Sequence, residues 1–92
     1  MNKYVIIIKW TPERIPESEG LEKLMDSNFK WAKLTEDSYL IRSNNSPVEI
    51  REYLTNKLSN ISRIFIGEMK ESAAWRGMLT DSEQIKQIFN NE

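Results

Sequence analysis

Residues Lys3 to Trp10 read KYVIIIKW, and no other stretch of the chain runs five apolar residues without a break. Its β-branched side chains favour an extended backbone, and an unbroken run marks a strand buried on both sides rather than on one. In a strand Tyr4, Ile6, Ile8 and Trp10 share one face, while Val5, Ile7 and Lys9 share the other. Such a strand belongs in the middle of a sheet, and both of its faces need cover.

The remaining segments follow in an order that fixes the architecture. Thr11 to Pro16 reads as a loop, because Pro16 biases Ile15 away from the helical region. Leu21, Leu24 and Met25 recur at helical spacing, which predicts a first helix near 17–27; Gly20 weakens it by roughly 1 kcal/mol relative to alanine. Residues 29–34 and 38–43 are short runs rich in aromatic and branched side chains, and Thr35-Glu36-Asp37 between them suits the turn of a hairpin. On the first arm Phe29 and Trp31 share one face and Ala32 and Leu34 the other; on the second, Tyr39 and Ile41 oppose Leu40 and Arg42. Ser46-Pro47-Val48-Glu49 is a helix start, with a serine cap, a proline in the first turn and a glutamate to close a capping box. Ile50, Tyr53, Leu54 and Leu58 then predict a helix over 47–59 with one apolar stripe. Residues 61–68 contain Ile64-Phe65-Ile66 and read as a fourth strand, with Gly67 at a bend or bulge. Ala73 to Leu79 has no period and reads as a loop or a short added strand. Thr80-Asp81-Ser82-Glu83 offers a second capping box before Ile85, Ile88 and Phe89, a short last helix.

Strand, helix, strand, strand, helix, strand is the split βαβ order, an α+β ferredoxin-like fold. It implies a four-stranded antiparallel sheet with the first and third strands central, two helices on one face, and a C-terminal tail with a short helix. Ninety-two residues suit a single domain over 1–92. With helices on one face only, the second apolar face calls for another subunit. A homodimer is therefore expected, with the Ala73–Leu79 tail against the neighbour and Trp75, Trp31 and Trp10 as candidate dimer or partner anchors.

Composition narrows the chemistry. Hydrophobic residues are 39% and charged residues 29% of the chain, the balance of a folded domain. Cysteine is absent, which excludes disulfides and thiolate chemistry and fits a cytoplasmic location; the apolar run is too short for a membrane helix or a signal peptide. Histidine is absent too, which removes the commonest general base and metal ligand, and three scattered glycines make no phosphate loop. No cofactor and no metal are expected. A net charge of −1 gives no global pull toward nucleic acid, so local cations must carry any such contact: Lys9, Lys30, Lys33, Arg42, Arg63 and Arg76. Trp31 between Lys30 and Lys33 has the makings of a base-stacking platform, although tryptophans in strands serve cores and interfaces more often. Arg42 and Arg63 suit phosphate contacts, and solvated strand edges explain them equally well.

The segments YVIIIKW, WAKLTEDSYLIRS, SPVEIREYL, RIFIGEM and AAWRGML, with Trp31, Ser38, Ile50 and Trp75 in place, resemble the small ferredoxin-fold proteins related to the CRISPR-associated adaptation endoribonuclease and to VapD-type toxins. The resemblance implies dimerisation through the sheets. It also implies, for members that cut nucleic acid, an aspartate near the end of the first strand that helps to hold a divalent metal. Lys9 stands at that position, and an ammonium has no lone pair for a cation. The expectation is thus a non-catalytic homodimeric module that engages nucleic acid or a protein in a defence, counter-defence or mobile-element system. Two alternatives stay open: a metal-dependent ribonuclease with displaced ligands such as Asp37 and Glu68, and an inhibitor or adaptor whose acidic first helix meets a protein target.

Overall fold

A computed structural model describes residues 2–70 and 73–90, the side chain of Asn90 excepted. Its elements are β1 (Asn2–Trp10), α1 (Ser18–Asn28), β2 (Lys30–Thr35), β3 (Ser38–Ser43), α2 (Pro47–Lys57), β4 (Ile61–Met69) and α3 (Ser82–Asn90). The strands form one sheet in the order β2-β3-β1-β4, with every neighbouring pair antiparallel. This is the ferredoxin-like α+β arrangement that the segment order predicts, with β1 and β3 in the centre. Ile7 faces Ser38 on one side and Phe65 on the other, and Val5 lies between Leu40 and Gly67.

The first face is built as its periodicity requires. Tyr4, Ile6 and Ile8 of β1 meet Tyr39 and Ile41 of β3 beneath Leu21 and Met25 of α1 and Ile50 and Leu54 of α2, all buried. α2 begins with the capping box read from the sequence: Glu49 N donates to Ser46 Oγ at 3.1 Å, and Ser46 N donates to Glu49 Oε1 at 2.8 Å. Phe29 differs from expectation. It ends α1 rather than opening β2, its N–H donating to Met25 O at 2.8 Å, because the carbonyls of a helix's last turn need donors.

Asn60, in the turn before β4, holds the β1–α1 loop at three residues. Its carbonyl accepts from Thr11 N (2.7 Å) and Thr11 Oγ1 (3.0 Å), its N–H donates to Glu17 Oε1 (2.6 Å), and its side-chain amide donates to Ile15 O (3.0 Å). Glu17 is therefore spent on this turn and makes no side-chain cap for α1. The loop it steadies contains Glu13, whose φ of 68° lies in the left-handed region.

The second face is where the face-counting expectation needs correction. It predicts a second subunit there, but α3 folds back over the sheet and buries Ile85, Ile88 and Phe89 against Ala32 and Leu40. The helix is capped by Asp81 rather than Thr80: Gln84 N donates to Asp81 Oδ1 at 3.1 Å. Thr80 is used for docking instead. Its N–H and Oγ1 both donate to Lys33 O, at 3.1 and 2.7 Å, and Leu79 N donates to Leu34 O at 3.0 Å, so the tail is sewn to the outer edge of β2.

Gly20 is the one helical position where a side chain is missing without need. A Cβ there would stand 3.5 Å from Leu58 Cδ2, an ordinary contact. Gly20→Ala should therefore raise the unfolding free energy by about 0.5–1 kcal/mol through helix propensity, measured by urea denaturation. A loss of stability would mean that α1 and the C-terminal end of α2 are packed more tightly than this spacing indicates.

Candidate functional site

The cations proposed as contact residues do not converge. Lys9 and Arg63 are register partners on the second face at one end of the sheet, and both are exposed. Lys30 lies at the opposite end, beside Arg42 in the β2–β3 ladder. Lys33 is on the first face, with its ammonium 5.8 Å from the ring centroid of Tyr39. Arg76 is exposed on the tail. Arg42 is removed from the surface altogether: it is buried, and its Nη1 donates to Ile88 O at 3.1 Å in the last turn of α3. A guanidinium there satisfies a carbonyl that has no helical partner and complements the negative end of the helix dipole.

The tryptophans are likewise divided. Trp10 and Trp31 are partly buried against the first core, and Trp31 Nε1 donates to Asp26 Oδ1 at 2.7 Å, tying β2 to α1. Trp31 also lies 6.0 Å from Tyr39, ring to ring. Tyr39 itself has its phenol pushed above its ordinary pKa, chiefly by burial and then by the carboxylates of Glu22 and Asp37, so it belongs to the core. Trp75 packs within its own chain. It is tilted against Phe89 at 6.4 Å, with Nε1 3.4 Å from Ser82 Oγ.

The acids offered as displaced metal ligands lie apart. The backbone carbonyl of Asp37 accepts from Ile8 N, whereas Glu68 is the register partner of Tyr4. Four residues of strand separate those two positions, about 13 Å, so the two carboxylates cannot share one ion. Each also has a cation beside it: Asp37 is ion-paired with Lys9, and Glu68 with Lys70 at 2.8 Å. Among the described residues no cluster of three or more acidic side chains is placed to hold a metal.

Two features of the second face remain. The first is the part of the β1–β4 half around Ile7 and Phe65, beyond the cover of α3: Ile7 is 41% and Phe65 63% exposed, side by side in register. A Cβ on Gly67 would meet the Phe65 ring at 2.9 Å, so the ring lies along β4 over the glycine. Among the described residues nothing pairs with the outer edge of β4, while the outer edge of β2 takes the two backbone bonds from Leu79 and Thr80. The second feature is a cavity of about 340 Å³ between the sheet, the tail and α3, with Val5, Leu40 and Met69 on the sheet side, Trp75 and Met78 on the tail and Phe89 from α3. Neither was legible as a site in the sequence. Phe65 stood there only as the middle of a β-rich run.

No family model matches the chain, and neither does any curated protein or solved structure. The likeness to the CRISPR-associated and VapD-type proteins thus rests on the sequence segments alone.

The Lys9–Asp37 pair carries a direct prediction. Lys9→Asp exchanges the cation beside Asp37 for a second carboxylate and should create a manganese site, seen as paramagnetic broadening of the backbone amides near residues 9 and 37. The unsubstituted protein should show no such broadening there; broadening of equal strength in both would contradict the assignment of the ammonium to Asp37.

Proposed function

We propose that the protein is a homodimeric binding module, joined to a second copy along β4, whose continuous sheet presents an apolar strip to an acidic segment of a partner protein. The observation that carries this reading is the open β4 edge with Phe65 63% exposed beside it. A nine-residue strand with an apolar centre is a template for another strand, and proteins that keep such an edge free of pairing usually blunt it with charge, proline or a covering segment. The centre of β4 has none of these.

Register follows from the pleat. A two-fold axis perpendicular to the sheet keeps each face continuous, so odd residues meet odd ones. Placing the axis at Phe65 sets the two Phe65 side chains together, Ile64 against the other copy's Ile66 and Arg63 against the other copy's Gly67, with no like charges opposed. Because Ile7 is the register partner of Phe65, the joined sheet then carries Ile7, Phe65 and their two counterparts in one row. Four strands make that row about 14 Å long, and Arg63 of each copy flanks it, beside Lys9 in its ion pair with Asp37. An apolar row between cations suits an acidic, apolar protein segment. The wide separation of the other cations and the net charge of −1 favour a protein over nucleic acid.

Light scattering should report twice the chain mass at micromolar concentration. The chain has no cysteine, so Phe65→Cys provides a single thiol, and directly opposed residues of an antiparallel pair lie about 4.5–5.5 Å apart at Cα, within disulfide reach. Mild oxidation should convert that variant to a covalent dimer, whereas Ile15→Cys, exposed on the β1–α1 loop, should stay largely single. A monomer mass, or equal cross-linking of both variants, would overturn the β4 dimer.

A further inference from the structure

The pocket beneath the tail is open to solvent on one side. Its volume of about 340 Å³ is roughly twice the ~150 Å³ that accommodates one benzene. Its walls are almost entirely apolar, so water inside would find few hydrogen-bond partners and is easily displaced. Two of its side chains, Met69 and Met78, are the flexible kind that adapt to a guest.

Charge decides what the guest should be. Among the described residues Arg76 is the one charged residue on the wall, no carboxylate lines the cavity, and Arg76 has no ion-pair partner. Gly77, at φ 71°, makes the bend that follows Arg76 and lets Met78 turn back into the wall. A second cation stands at the sheet end of the same cluster, where Lys3 Nζ lies 3.9 Å from the centroid of the Phe89 ring. An apolar pocket edged by cations, with no acid among its described lining residues, suits an anion with an apolar body.

We propose that this cavity binds a small apolar monocarboxylate, of two-ring aromatic or medium-chain size, with its body against Trp75, Met78 and Phe89 and its carboxylate on Arg76. The guanidinium fork matches a carboxylate, which a neutral analogue of equal size cannot use. The site reaches β4 only at Met69, whereas the dimer contact centres on Phe65, so a failure of the naphthoate titration and a failure of the cross-linking test are read at different residues.

The full-length protein can be titrated with 2-naphthoate and, in parallel, with uncharged 2-naphthalenemethanol, following the indole N–H signals of its three tryptophans by NMR. The Trp75 signal should shift and saturate, while those of Trp10 and Trp31, on the opposite face, hold still and report that the fold is intact. The acid should bind about 10-fold more tightly than the alcohol, and Arg76→Gln should bring the two within roughly 2-fold while leaving the alcohol's affinity unchanged. An unmoved Trp75 signal at millimolar naphthoate, equal affinities for acid and alcohol, or a preference that survives Arg76→Gln would each overturn the proposal.

Discussion

β1 carries apolar side chains on both of its faces in the middle of the sheet, and the placement of every helix follows from the need to cover them. Tyr4, Ile6 and Ile8 are covered by α1 and α2, which the two crossover connections deliver to the same side. Val5 is left to the other side, together with Ala32 and Leu40, and the chain supplies α3 for these. Each fully buried side chain of this kind contributes about 1.5–3 kcal/mol relative to exposure. A nine-residue helix is marginal by itself, so α3 depends on this docking as much as the sheet depends on its cover. Arg42 belongs to the same exchange, for α3 brings the Ile88 carbonyl to its buried guanidinium.

The cover is incomplete, and the functional readings arise from where it stops. α3 lies over the β2–β3 half, and the tail that leads to it crosses the sheet to reach Lys33 and Leu34. Under that crossing the packing leaves a cavity, and beyond it Ile7 and Phe65 meet solvent next to an open strand edge. One half of the face is thus suited to a small guest held inside and the other to a strand or segment added from outside. The two meet at β4, where Met69 lines the pocket and Phe65 carries the exposed row.

What could be read from the sequence was whatever has a period or a local signature. The run KYVIIIKW placed the central strand, the alternation in 29–43 placed the hairpin and its faces, and Ser46 with Glu49 fixed the start of α2. The spacing of Ile85, Ile88 and Phe89 marked a last helix, but an amphipathic stripe does not say which surface it will meet, and so the second face looked bare. Arginine is rarely buried, so in the sequence Arg42 reads as a surface cation; the helix C-terminus that α3 brings over β3 makes it a core residue. Asn60 left no signal, since a turn residue that bonds to Thr11, Ile15 and Glu17 works through contacts distant in sequence. The cavity has no signature of any kind: it is what three elements leave between them.

Whether the chain covers its own sheet can be measured directly by NOE spectroscopy on an equimolar mixture of isotope-labelled and unlabelled chains, filtered to separate contacts within a chain from contacts between chains. A self-covered sheet predicts intrachain cross-peaks from the methyl groups of Ala32 and Leu40 to Ile85 and the ring of Phe89. Their absence, or their appearance only between labelled and unlabelled chains, would contradict it and return the second face to a neighbouring subunit.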